Sequence, residues 1–561
     1  MQRFLKTSIL LSTIFLFYCG KGDDTIAPTA TPTKPVTTVT NPTPQSDTKP
    51  EKLVSLNGNQ LLDAQGQPLY LQGVAFGNEI WNNSSSAPVN HHSEIDYQRV
   101  SAMGMNAIRF YLNYKLFESD TTPYNYRQEG WDWLDKNIAW AKKYGVYLVL
   151  NMHAPQGGYQ SQGKGDALWD DVANQNRLIA LWKAIAERYR EEGQIVGFGP
   201  VNEPVPSQSM AQWSALAQKL IDGIQSVNRY HMLFIEKAIF VQGNYKPDSN
   251  YNFPVVTGEN IIYEFHGYDP HKYTHQLMDF TKLPDGGKYP DETILEVSDG
   301  DWYTATFDNP RIEETTRDWT YFEGVKYKIT DPKIAYASPA LIGANVNGRI
   351  YFDDLSIKEY DDSGNFVRSI TEMNLNTTNN WYYWSNNQSG TYGLGSKGHN
   401  DTNSLYIEKS TDDCNISNPT IRFVPKQNYS YQISGWMKSE NIASNSDCKF
   451  RLDMYSSNGA IHSRNKTYLR YEMDKFVDWA AKKNVPLYMG EFGTGYPSFQ
   501  NNKGGIKYVK DLLDLAREYK VHFTYHTYHE DSFGLYLGSQ KPDPNNVNQP
   551  LIDLFTKELG N

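Results

Sequence analysis

The strongest constraint on how this chain can fold is a rhythm in which apolar runs of strand length, bounded by Gly and Pro, alternate with segments of helical periodicity. Residues 69–76 (LYLQGVAF), 106–112 (NAIRFYL), 146–152 (VYLVLNM), 195–204 (IVGFGPVNEP) and 232–240 (MLFIEKAIF) are such runs, with helical patterns over 94–103, 131–144, 173–191 and 210–227 between them. A sixth run, residues 260–268, follows directly. Short apolar strands joined by helices pair in parallel, because a crossover helix returns the chain to the same end of the sheet. Two later runs, 486–493 (PLYMGEFG) and 521–528 (VHFTYHTY), with helical patterns over 472–484, 506–519 and 551–559, bring the strands to eight. Eight strands in this rhythm predict an α/β fold of the (β/α)8 TIM barrel type.

The rhythm breaks between residues 291 and 465, where Asn, Ser, Asp, Tyr and Gly dominate and period-two stretches such as RIYFDDLSIKEY, SYQISGWMKS and CKFRLDMYS recur. That pattern predicts a β-sandwich, jelly-roll-like, inserted in the sixth βα loop, with the barrel divided into residues 53–290 and 466–561. A chain of 561 residues has room for both, since single cores stop growing well below that length.

The N-terminus is of another kind. Residues 1–19 carry Arg3 and Lys6, a short apolar run and then Cys19, the layout of an export signal in which Cys19 would be lipidated. Residues 20–52, rich in Thr and Pro, offer little to bury and are expected to be a disordered linker. The expectation is a protein exported to a bacterial cell surface or outer membrane as a lipoprotein, or otherwise secreted, meeting the membrane only through that anchor. In an oxidising compartment Cys414 and Cys448 could form a disulfide, the alternative being two buried thiols.

Two runs end in a glutamate, Glu203 and Glu491, at the strand ends where a parallel barrel keeps its chemistry. Hydrolysis of a glycosidic bond needs such a pair, one carboxyl protonating the leaving oxygen while the other attacks the anomeric carbon. Arg109 near the end of the second strand can hold a nucleophilic carboxylate ionised. His153 and Asn202 can hydrogen-bond sugar hydroxyls, and alternation puts Glu264, His266 and Tyr268 on one face of their strand. The scheme needs no metal and no cofactor. A net charge of −11 argues against nucleic acid and anionic membranes, while 14% aromatic residues suits stacking on sugar rings.

The set IRFYL, NMHAP, GPVNEP, EFHGY and MGEFG, in this order, resembles glycoside hydrolase family 5, the cellulase family. The resemblance spans roughly residues 53–290 and 466–561 and implies a retaining enzyme. It makes Glu203 the general acid/base and Glu491 the nucleophile, with Arg109, His153, Asn202, His266 and Tyr268 in support. The family usually ends its eighth strand with a Trp under the sugar, whereas this chain has His526 in FTYHTYHEDSFGLY, and Trp169 is a candidate stacking surface in its place. The inserted segment is similar to jelly-roll carbohydrate-binding modules; 381–384 (WYYW) is either a sugar platform or part of the sandwich core or a strand edge, and the pair Asp353 and Asp354 by itself is too few ligands for calcium. The expected partner is a polysaccharide or oligosaccharide and the expected state a monomer. The first expectation is an endo-β-1,4-glucanase, with a β-mannanase or an exo-β-glucosidase or glycolipid glycosidase as alternatives, and a non-catalytic surface carbohydrate-binding lipoprotein as a reading of another class.

Overall fold

The computed structural model describes residues 50, 52–161, 165–297, 300–457, 459 and 461–560. The expected signal segment with Cys19 and the linker through residue 49 lie outside the described residues. Eight parallel strands close into a barrel: β1 (Gln72–Phe76), β2 (Ala107–Asn113), β3 (Tyr147–Ala154), β4 (Ile195–Gly199), β5 (Met232–Glu236), β6 (Ile261–Gly267), β7 (Leu487–Phe492) and β8 (His522–Tyr525). Neighbours pair in that order, and β7 pairs with β6 across the insertion.

Period-two alternation builds two cores from the same strands. Ile108, Phe110 and Leu112 of β2 and Leu148, Leu150 and Met152 of β3 face outward against the helices, while Ala107, Val149, Val196, Phe234, Ile262 and Tyr488 fill the barrel interior. A small hairpin, Ser55–Asn57 with Gln60–Leu62, adds Val54 and Leu61 to that interior cluster and so closes the end opposite the chemistry. Among the described residues, the helices longer than five residues are α1 (Glu94–Ala102), α2 (Gln128–Lys143), α3 (Val172–Arg188), α4 (Met210–Gln225), α5 (Lys466–Lys483), α6 (Gly505–Tyr519) and α7 (Gln549–Leu559). In α3, Leu178, Leu181, Trp182 and Ile185 recur at helical spacing and are all buried, and Asp171 caps the first turn by accepting from Ala173 N at 2.8 Å. The fifth repeat has no helix, since residues 237–260 run from β5 to β6 in turns and bends.

The insertion leaves and re-enters at one place. Asp291–Val297 pairs antiparallel with Ile461–Arg464 as a two-stranded neck, fastened by the buried ion pair of Arg464 Nε with Glu296 Oε1 at 2.6 Å. Beyond it, antiparallel sheets of five and seven strands share a core that includes Leu341, Ile350, Phe352, Ile433, Phe450 and Leu452. This is the expected β-sandwich.

Two expectations inside it are corrected. Cys414 and Cys448 are free, buried thiols rather than a disulfide. Each belongs to a strand flanking Tyr336–Ala344: Gly343 pairs with Cys448, and Ile342 pairs with Asn415, next to Cys414. One strand therefore lies between them, a separation of about 9–10 Å against the roughly 7 Å limit for a disulfide. The 381–384 segment is no single platform either: Trp381 is core, Tyr382 lies under Lys272 Nζ at 3.9 Å, Tyr383 packs on Tyr392, and Trp384 alone is exposed. Asp353 spends its carboxylate on backbone amides of Asp354, Leu375 and His399, while Asp354 meets His399 Nδ1 at 2.8 Å.

Candidate active site

Alternation aims the side chains at the C-terminal mouth of the barrel. Arg109 and Tyr111 leave β2 inward, His153 leaves β3, Glu236 ends β5, and Glu264 and His266 leave β6. Glu491 needs an irregularity. Strict alternation from the inward Tyr488 would turn Gly490 inward and Glu491 out; a register shift between Met489 and Glu491 re-aims the glutamate into the mouth and leaves Phe492 in the outer core. Gly490 fits because a Cβ there would fall 1.8 Å from Glu264 Oε1.

Glu491 is held by three donors: Arg109 NH1 at 2.6 Å and Tyr111 OH at 2.6 Å on Oε1, and Tyr268 OH at 2.8 Å on Oε2. Burial alone would raise its carboxyl; His266, then His526 and Arg109, hold it well below the usual carboxylate range instead. Arg109 also gives NH2 to Asn202 Oδ1 at 2.8 Å and sets Nε 2.7 Å from Glu264 Oε1. With its oxygen taken by Arg109, Asn202 keeps Nδ2 as its donor, 3.4 Å from His153 Nε2. His153 lies stacked on Tyr111 with ring centroids 3.9 Å apart, and burial drives its imidazole well below the ordinary value, so it is neutral.

Glu203 follows β4 in a left-handed conformation, φ 45°, with its backbone N–H donating to Glu236 Oε2 at 3.0 Å. Its Oε1 meets His266 Nδ1 at 2.9 Å. Burial opposes a charge on His266, but Glu236 and Glu491, with the hydrogen bond to Glu203, raise it well above the ordinary value and keep an imidazolium. One carboxyl oxygen each of Glu203 and Glu491 lie within 4.8 Å of one another. Among the described residues, two groups bring metal-ligating atoms this close, Glu203 with His266 and Glu491, and Glu236 with Glu264 and His266. Both groups share His266.

The structure thus gathers Glu203, Glu491, Arg109, His153, Asn202, His266 and Tyr268 in one site. His526 joins them, only 6% exposed: because Tyr111 O–H is committed to Glu491, the phenol oxygen accepts from His526 Nδ1–H at 3.0 Å. Trp169 does not join them. Buried in the short helix Asp166–Asp170, it donates Nε1–H to Gln160 Oε1 at 2.7 Å and packs edge-on against Trp213, so no sugar can stack on it.

The aromatic that does stand at the mouth is Trp81, 43% exposed, edge to His153 at 5.6 Å and to His526 at 6.1 Å. Three residues of the site escaped the sequence reading, and two carried a signal. Tyr111 is two residues beyond Arg109 and Glu236 is two beyond Phe234, hence on the inward face in each case. Trp81 follows β1 in an irregular loop, and no periodicity points to it.

A family model described as "Cellulase (glycosyl hydrolase family 5)" matches residues 62–309. The match stops inside the insertion, so Glu491 and the last two barrel strands fall beyond it. Among curated relatives, "Endoglucanase C" of Acetivibrio thermocellus is 32% identical over 187 residues, 33% of this chain and 52% of that protein. "Probable glucan 1,3-beta-glucosidase A" of Neosartorya fischeri is 25% identical over 307 residues, 52% of this chain and 68% of that protein. The chain spans about half the length of the first of these relatives. Among solved structures, endoglucanase Cel5A of Thermotoga maritima superposes with a TM-score of 0.46 at 13% identity, covering 86% of this chain and 96% of that one.

Proposed function

We propose, given that residues 62–309 carry a cellulase domain of glycosyl hydrolase family 5, that the protein is a retaining β-glycoside hydrolase working by double displacement. The observation that carries this reading is the carboxyl pair: oxygens of Glu203 and Glu491 within 4.8 Å, where retaining enzymes set their carboxyls about 5 Å apart and inverting ones leave room for a water. Glu491, ionised and fixed by three donors, attacks the anomeric carbon. Glu203 gives its proton to the departing oxygen, then takes one from the water that releases the glycosyl group. Arg109 and Tyr268 aim the nucleophile, and Asn202 Nδ2 is the donor for the hydroxyl beside the reacting carbon.

The substrate read first is β-1,4-glucan cut internally, in keeping with the endoglucanase relative; mannan and exo-acting β-glucosidase activity follow. The inserted sandwich is read as a sugar-binding accessory. Its seven-stranded sheet carries Trp319, Tyr321, Tyr351, Tyr406 and Trp436, with His399 stacked on Trp436 at 3.5 Å, and these rings take the role expected of the 381–384 segment. An export signal in residues 1–19 suits an enzyme whose polymer lies outside the cell.

The test is product chromatography of the protein and of Glu491→Gln on β-1,4-glucan, β-1,4-mannan and β-1,3-glucan. Oligosaccharides from β-1,4-glucan with the parent protein alone are expected. Equal cutting by the variant, or no cutting of any polymer, refutes the assignment.

A further inference from the structure

Beneath Glu203 and Glu491 lies a layer of charge that double displacement, as described, does not use. Glu236 ends β5 with 2% exposure. Its Oε2 accepts the Glu203 backbone N–H at 3.0 Å, and its Oε1 stands 3.4 Å from His266 Nε2. His266 turns its other nitrogen to Glu203 Oε1 at 2.9 Å. Glu203 is therefore gripped twice from one residue, directly at its backbone and through an imidazole at its carboxyl. The backbone grip matters because side-chain-bearing residues rarely occupy the left-handed region that Glu203 holds, and such a conformation persists only where its surroundings fix it.

We propose that Glu236 is a positioning residue for the acid/base Glu203, fixing its backbone with one carboxyl oxygen and anchoring, with the other, the His266 bridge to its carboxyl. The inference rests on the reading of Glu203 given above and adds to it a residue that acts only through others. The groups facing Glu236 are Arg109 from β2, with NH2 at 3.4 Å, Glu203 from beyond β4, Glu264 and His266 from β6, and Lys237 next in the chain. Four carboxyls, those of Glu203, Glu236, Glu264 and Glu491, crowd around Arg109 and His266. Burial first, and Glu264 among its neighbours, raise the Glu236 carboxyl, while His266 and Arg109 lower it.

The Glu236 carboxylate meets a neighbour with each oxygen, so its loss frees both the Glu203 backbone and one nitrogen of His266. Glu236→Gln keeps an acceptor for the Glu203 N–H but cannot ionise. It is expected to recover a large part of the activity that Glu236→Ala loses.

The experiment compares the full-length protein, Glu236→Gln and Glu236→Ala on two aryl β-cellobiosides. One is a 2,4-dinitrophenyl glycoside, which departs without protonation; the other carries a poor leaving group that needs it. Thermal unfolding runs alongside. Glu236→Ala is expected to lose about 100-fold in kcat/KM on the poor leaving group and far less on the activated one, and Glu236→Gln, which keeps the acceptor, to lose less than Ala on the poor leaving group. Equal losses on both substrates, or a Glu236→Gln variant no better than Glu236→Ala, would reduce Glu236 to a packing residue and overturn the proposal, as would two variants indistinguishable from the parent. A parent protein that turns over neither glycoside sinks the hydrolase reading itself, and the proposal with it.

Discussion

Tyr111→Phe removes one oxygen from the nucleophile and little else. The ring is fully buried and stacked on His153 at 3.9 Å, a contact that Phe reproduces, so the change is the loss of the 2.6 Å hydrogen bond to Glu491 Oε1 together with the acceptor for His526 Nδ1. A hydrogen bond to a charged group contributes about 1.5–3 kcal/mol and one pKa unit corresponds to about 1.4 kcal/mol, so the Glu491 carboxyl should rise by roughly 1–2 units. The ionised carboxylate is the attacking form, and the acidic limb of kcat/KM reports its titration in the free enzyme. That limb should move up by the same roughly 1–2 units, leaving the alkaline limb in place. Stability gives an independent check. Glu491 is held below its ordinary value, so its contribution is present above the unfolded carboxyl value and is lost as pH falls through the folded one. The variant should therefore melt below the parent at neutral pH, with a deficit that shrinks toward strong acid. The assay is a pH profile with an activated aryl glycoside plus calorimetry at neutral and acidic pH. A folded variant whose acidic limb stays within a few tenths of a unit of the parent's would refute the claim that these donors set the nucleophile's charge.

Trp81→Ala, at a half-exposed ring, should raise KM by up to roughly tenfold with kcat and melting temperature little changed; an unchanged KM would remove Trp81 from the sugar path. Cys414 and Cys448 should resist alkylation in the folded protein and both react after unfolding without reductant, as mass spectrometry reads directly, whereas a modification-resistant pair would restore the disulfide. Excising residues 298–460 and joining Val297 to Ile461, which pair across the neck, through an Asn-Gly turn should leave a folded barrel. Its turnover of a small aryl glycoside should be near that of the parent and its retention on insoluble glucan lost; an unfolded product would make the sandwich part of the barrel's own stability.

The barrel was legible because each strand buries two faces and so repeats an apolar run too short for a helix, and because Gly and Pro mark the ends. Site residues were legible where strict alternation held. His266 and Tyr268 follow Glu264 at two-residue steps, and Arg109 is inward with Ala107. Reading the fifth strand through to residue 240 hid Glu236, because the strand stops at that residue and a charged end looks like an interior position when the run is drawn too long. The inward turn of Glu491 depends on a bulge, which sequence spacing alone would have placed on the outer face. Trp169 and the 381–384 aromatics went the other way: a ring in a loop reads as available until tertiary partners, Gln160 and Trp213 for one and Lys272 for another, are seen to have taken it.

The insertion explains why the two halves of the chemistry are so far apart in sequence yet so tightly coupled. Glu203 lies before the sandwich and Glu491 after it, and the contacts that join them, Arg109 to Glu491 and His266 to both carboxylates, span that gap. For a flexible loop of this length, closure would cost only about 0.6 kcal/mol more per doubling, so length alone does not threaten the barrel. What would threaten it is a wandering exit point. The neck removes that freedom: Asp291 and Arg464 face each other across the ribbon, and Arg464 is buried against Glu296 and the Gly286 carbonyl. The chain therefore returns to α5 from the place where it left β6. The β6–β7 pairing that sets Glu491 beside His266 is then specified by the barrel alone, whatever domain hangs from the loop.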